Sequence, residues 1–175
     1  DGKARPYVVV KDNIDGFFRT GVNTSNSLIF NKKAGKTGIR VTYTDMRDKD
    51  IIPKTNMARN TLNLRTNTVI TKYVDLDFKV TYTHEGVNNR PAVADHRANI
   101  AKNLMTLSTT FDQEWLRNSY EDINGEYFNW NNGDVYNINP YWVLNKMSNT
   151  STKDNYKGSA VIRYRPLKQL TLQAT

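Results

Sequence analysis

The sequence predicts an all-β fold: an antiparallel up-and-down transmembrane β-barrel, present in part as about six strands of a larger barrel, with one long extracellular loop containing a short helix. Three observations predict it. Apolar and polar residues alternate through six segments, the links between segments run short, long, short, long, short, and the segments are long for strands.

The first segment, 22–32, is the most weakly patterned, with Leu28 and Phe30 against Ser27 and Ile29. In 37–46, Ile39, Val41 and Tyr43 oppose Arg40, Thr42 and Thr44, because successive side chains leave a strand on opposite faces. Leu62 and Leu64 oppose Asn63 and Arg65 in 59–69, and Leu76, Phe78, Val80 and Tyr82 oppose Asp77, Lys79, Thr81 and Thr83 in 75–84. Ala160, Ile162 and Tyr164 face away from Arg163 and Arg165 in 155–165, as Leu170 and Leu172 do from Thr171 and Gln173 in 169–175.

Short links fall at Lys33-Ala34-Gly35-Lys36, around Thr71-Lys72-Tyr73 and at Pro166-Leu167-Lys168; a link of medium length spans 47–58 and a very long one spans 85–154. In an up-and-down sheet this parity places short links on one edge and long ones on the other, the asymmetry of short periplasmic turns and longer extracellular loops. A tilted spanning strand needs roughly 9–11 residues, which these segments mostly reach, whereas other strands centre near about 5–6. Arg, Lys, Asp, Asn and Thr at mid-strand suit a wet lumen. A soluble antiparallel sheet shows the same alternation, so the alternative is a soluble β-rich glycan- or protein-binding module.

Within the long insertion, Ile100, Leu104 and Leu107 in 99–110 have helical spacing, with Asp95 or Asn99 placed to cap the first turn. Asn124-Gly125 between apolar residues signals a tight hairpin turn. A connection this long is usually functional.

Lys and Arg outnumber Asp and Glu by 25 to 17, but they are scattered along the chain, whereas a nucleic-acid footprint concentrates on one face; no nucleic acid is expected as a partner. With no cysteine there are neither disulfides nor thiolate metal sites. No apolar run suffices for a membrane helix, and Asp1-Gly2-Lys3-Ala4-Arg5-Pro6 has no signal-peptide core.

Chemical motifs are scarce. Gly35-Lys36-Thr37 matches the tail of a phosphate-binding loop, but Phe30 stands where the first glycine belongs and a strand pattern follows instead of a helix. His84 and His96 lie outside any His-Glu-x-x-His frame. Asp45, Asp48 and Asp50, like Asp122, Asn124 and Glu126, resemble the start of a calcium loop without its glycine and its final glutamate, and read as solvated loop acids. No Gly-x-Ser-x-Gly elbow is present and no carboxylate pair stands out, so no enzyme, cofactor or metal is expected.

The aromatic residues are more telling. Trp115, Tyr120, Tyr127, Phe128, Trp130, Tyr136, Tyr141 and Trp142 crowd the long insertion among Asn, Asp and Glu. Flat rings beside amides and carboxyls suit sugar or peptide recognition, and they equally suit a small apolar core for the insertion. Trp115, Tyr127, Trp130, Tyr136, Tyr141 and Trp142 are the candidates for substrate or lid contact.

An ordered series of motifs spans residues 6–165: Asp15-Gly16-Phe17-Phe18-Arg19-Thr20-Gly21, then Thr37-Gly38-Ile39-Arg40-Val41-Thr42-Tyr43-Thr44-Asp45-Met46, Asp50-Ile51-Ile52-Pro53-Lys54-Thr55, Arg59-Asn60-Thr61-Leu62, Asn89-Arg90-Pro91 and Asn139-Pro140-Tyr141-Trp142-Val143-Leu144-Asn145. The series resembles the SusC/RagA family of TonB-linked (TonB-dependent) outer-membrane transporters of Bacteroidetes, with Ile39, Asp50 and Lys54 as departures from its pattern. The resemblance implies that residues 1–175 are an internal segment, without plug, of a TonB-dependent receptor barrel of about twenty-two strands, excerpted from a longer protein. It implies an importer of oligosaccharides or peptides in a Gram-negative outer membrane. The implied partners are outer-membrane lipid, a SusD-like surface lipoprotein over the loops, and TonB through parts of the chain not present here.

Overall fold

A computed structural model describes residues 4, 7–134 and 136–175. Most of the N-terminal hexapeptide, expected to lack a signal-peptide core, lies outside the described residues. The chain divides into two compact units. One, the sheet unit, comprises Asn23–Asp48, Met57–Gly86 and Thr152–Thr175; the other, the helical unit, comprises Lys49–Asn56, Val87–Ser151 and the residues up to Val22.

The sheet contains six strands: β1 (Val22–Ala34), β2 (Thr37–Lys49), β3 (Asn56–Val69), β4 (Val74–Asn88), β5 (Ser151–Leu167) and β6 (Leu170–Ala174). Their spatial order is their sequence order, and the sheet is antiparallel. Strands β5 and β6 pair Ile162 with Ala174 and Tyr164 with Leu172, and a shift in register between Tyr164 and Leu167 marks a bulge. Local chemistry explains the short links. Gly35 turns β1 into β2 with φ +55°, a left-handed conformation that costs glycine little. The Thr71 hydroxyl accepts from the backbone N–H groups of Tyr73 and Val74, both at 3.1 Å, and so fixes the turn into β4.

The two faces of this sheet differ. On one, cross-strand partners form a ladder: Arg59 with Glu85, Asn63 donating to Thr81 at 2.7 Å, Arg65 with Asp77, and Asp75 with both Arg163 and Arg165. The other carries Tyr43, Leu62, Leu64, Ile162 and Tyr164, all exposed, and no described residue of the sheet unit is buried. This unit is held by its backbone ladder and its side-chain pairs.

The barrel expectation is corrected here. Strands β1 and β6 are the two free edges of an open sheet, and they do not pair with each other. A structure spanning hydrocarbon must satisfy every backbone donor and acceptor internally, which a closed barrel does and a sheet with two open edges does not. The chain is a mixed α/β structure with an open antiparallel sheet, not an all-β transmembrane barrel. With closure go the readings that depended on it: the SusC/RagA receptor segment, the nutrient-importer function and the outer-membrane location. Among the described residues no helix is long and apolar enough to cross a membrane, which leaves strands out of account.

Among its described residues the helical unit has three short helices, α1 (Ile100–Met105), α2 (Gln113–Asn118) and α3 (Pro140–Lys146), after a 3-10 turn at Asp15–Phe17. Each helix starts on a side-chain cap: Asn99 accepts from Lys102 N, Asp112 from Glu114 N and Asn139 from Tyr141 N. Pro140 occupies the first turn of α3, where a missing N–H costs nothing. The expected single helix over 99–110 is thus α1 alone, ending at Met105, with two further helices in the insertion. Leu104, Leu116, Ile100, Val143, Leu144, Tyr141, Ile138 and Phe17 form the core of this unit. Arg19 ties 49–56 into it by donating to the carbonyls of Asp50 and Thr55, both at 2.8 Å.

Candidate functional site

In the helical unit, Tyr127 and Trp142 line a cavity of about 500 Å³ together with Arg97, Asn129, Asp134 and Lys146. The volume falls in the range of small-molecule clefts, roughly 300–1,000 Å³. Helix α3 places Trp142 in this wall while its neighbour Tyr141 turns into the core, because adjacent residues on a helix point about 100° apart. Tyr127 follows the turn at Asn124-Gly125, where Gly125 has φ +79° and Asp122 accepts from the backbone N–H groups of Asn124 and Glu126 at 2.8 and 2.9 Å. The two rings meet edge-on, with centroids 5.3 Å apart.

Fixed partners set the polar groups. The Tyr127 hydroxyl accepts from Trp130 Nε1 at 3.0 Å and from Asn139 N at 3.3 Å. Both lone pairs are occupied, so its own proton is available for donation. Burial pushes the Tyr127 phenol above its ordinary pKa, which keeps that proton in place. Asp134 accepts from Tyr136 N at 2.8 Å and from Asn137 Nδ2 at 2.6 Å, and these donors hold its carboxyl below the usual range. Asn129 Oδ1 accepts from Gly133 N at 2.7 Å, which commits the oxygen and leaves the amide as a donor. Lys146 forms an ion pair with Glu121 at 2.7 Å, and its Nζ lies 5.6 Å from the centre of the Trp142 ring.

The expected contact residues separate into three groups. Tyr127 and Trp142 wall the cavity. Trp115 and Trp130 instead pack around Phe111, at centroid distances of 5.7 and 5.0 Å, against the core. Tyr141 is buried and donates to Gln113 Oε1 at 3.0 Å, while Tyr136 is exposed with Lys102 Nζ 5.9 Å from its ring. The aromatic cluster is therefore partly core and partly surface. Sequence reasoning missed Arg97, Asn129, Asp134 and Lys146, whose approach to one another depends on the path of the insertion.

The other motifs find structural places. Gly35-Lys36 is a hairpin turn leading into β2, which begins at Thr37. Asp48 accepts from Asn23 at 3.0 Å, Asp45 pairs with Arg47 at 2.7 Å and Asp50 accepts from Ile52 N at 3.2 Å. His84 bonds Asp154 at 2.8 Å, and the His96 ring accepts from Ala98 N at 3.1 Å. Among the described residues no three His, Asp or Glu side chains gather as a metal site.

No protein-family model matches the chain, and no curated protein matches it. The likeness to SusC/RagA transporters thus stays at the level of short strings. The SusD-like and TonB partners, and outer-membrane lipid, rest on that likeness alone.

Proposed function

We propose that this chain is a β-rich binding module that takes a carbohydrate into the Trp142 cleft of its helical unit. One observation carries the reading: an aromatic wall of two mutually oriented rings is combined with donors and acceptors whose own partners already fix them. A pyranose presents a face of C–H bonds and a rim of hydroxyls. The ring of Trp142 matches the face, while Asp134 as acceptor and Tyr127, Asn129 and Lys146 as donors match the rim.

Binding, without bond cleavage, is the role this set suits. Hydrolysis of a glycosidic bond calls for two carboxyl groups with pKa values pushed apart. Among the described residues Asp134 is the one carboxylate in the cavity wall, and its donors keep it ionised. The test is an oligosaccharide array followed by calorimetric titration of the best binder. Trp142→Ala is expected to lose about 2 kcal/mol, close to thirtyfold in affinity, as for other central aromatic contacts. Tyr136→Phe, which removes an exposed hydroxyl outside the cavity wall and keeps the backbone N–H on Asp134, is expected to bind like the wild type. Equal affinity for Trp142→Ala and the parent protein would refute the reading, as would an array without saturable binding.

A further inference from the structure

The sheet unit holds a second cavity, of about 540 Å³, on the polar face beside the short links. Seven charged positions dominate its wall: Lys33, Lys36, Lys72, Arg163 and Arg165 against the carboxylates of Asp75 and Asp77. Asp77, also in the wall, is occupied by Arg65, which reaches it from β3 through two guanidinium nitrogens. Asp75 is divided between Arg163, 3.1 Å away, and Arg165. The carboxylates of the cavity are thus fully committed to arginines. Among the described residues none of the three lysines has a carboxylate partner, and Lys72 Nζ rests 4.8 Å from the centre of the Tyr73 ring.

Positive charge therefore exceeds negative charge around one concave site, and it does so where rigid backbone sets the spacing. Lys33 and Lys36 flank the turn at Gly35, Lys72 stands in the turn stapled by Thr71, and the arginines project from β5. A guanidinium that shares one carboxylate keeps N–H groups for a second acceptor, and its planar fork fits tetrahedral oxyanions. Such a field recruits anions and holds them most firmly when several charges lie on one small molecule.

We propose that this cavity is a binding site for a small polyanion bearing two or more phosphate or sulfate groups, held by Lys33, Lys36, Lys72, Arg163 and Arg165. A single inorganic phosphate would fill only a small part of the space, so the site suits a larger ligand with charges spaced along it. It belongs to the sheet unit and stands whether or not the aromatic cleft of the helical unit takes a sugar.

Calorimetric titration with inorganic tripolyphosphate and with a sulfated disaccharide, at near-physiological salt, tests the site and tells a phosphorylated ligand from a sulfated one. Lys36→Gln/Lys72→Gln removes two of the uncommitted cations without touching an arginine–carboxylate pair. Lys153→Gln/Lys157→Gln removes the same charge from a different cavity of the sheet unit and serves as the control. Saturable binding of either probe is expected, weakened about tenfold or more in the first variant and about twofold or less in the second. Equal weakening in both variants would reduce the effect to general attraction and overturn the site. Failure of both probes to bind the wild type would overturn it as well.

Discussion

Asn139 offers a sharp test of how the helical unit is held. Its side chain is fully buried and does two things at once: Oδ1 accepts from Tyr141 N at 2.9 Å, capping α3, and Nδ2 donates to the Leu116 carbonyl at 2.9 Å, tying α3 to the end of α2. Asn139→Ala removes both. Loss of the cap costs about 1 kcal/mol. Stranding the Leu116 carbonyl without a donor adds roughly 1–3 kcal/mol, so the expected total is about 2–4 kcal/mol. Asn139→Ser keeps a capping oxygen but is too short to reach Leu116, so it should recover about 1 kcal/mol of that loss. Urea unfolding followed by tryptophan fluorescence is the appropriate assay, because the three tryptophans, at 115, 130 and 142, all lie in the helical unit. An Asn139→Ala variant within about 0.5 kcal/mol of the wild type, the scatter of ordinary surface changes, would refute the assignment of both roles to this residue.

Two predictions concern the sheet unit. The Tyr82 hydroxyl donates to Asp154 at 2.7 Å, and that bond to a carboxylate pushes its pKa up to about 12. Because the folded pKa is raised, the contribution is fully present below the ordinary tyrosine value near about 10 and is lost as pH rises through the folded one. Ultraviolet titration, with Tyr82→Phe to identify the signal, should show Tyr82 ionising late in the wild type and earlier in Asp154→Asn; identical curves would contradict the assignment. At Gly35 a Cβ would meet nothing within 4 Å, so Gly35→Ala carries only the cost of its φ of +55°, about 1–2 kcal/mol. Thermal unfolding followed by circular dichroism should register this loss, and a variant as stable as the parent would exclude a left-handed turn there.

The strands were legible because a period of two leaves a direct trace in the sequence. Ile39, Val41 and Tyr43 lie in β2, Leu76 to Tyr82 in β4, and Gly35 turns where a short link was expected. Closure was not legible, since alternation specifies two faces and not the curvature or the fate of the outermost strands. The same pattern of Leu28 and Phe30 against Ser27 fits an edge strand of an open sheet, which is what β1 is. Helices α2 and α3 are too short for a helical period to emerge, yet their caps are visible in retrospect. Asp112 precedes Gln113, and Asn139-Pro140 is a cap followed by an N-terminal proline. The rings of the cleft were legible as a type and not as a place. Nothing in the order Tyr141-Trp142 tells which ring enters the core, because that depends on where Phe17, 5.3 Å from Tyr141, comes to rest.

Hydrogen–deuterium exchange of the whole chain, with and without the best-binding oligosaccharide, addresses the binding cleft most directly. Slowed exchange confined to 127–134 and 138–147, which contain Tyr127, Asn129, Asp134, Trp142 and Lys146, is the expected result. Protection confined to β1–β6, with those segments unchanged, would contradict the account.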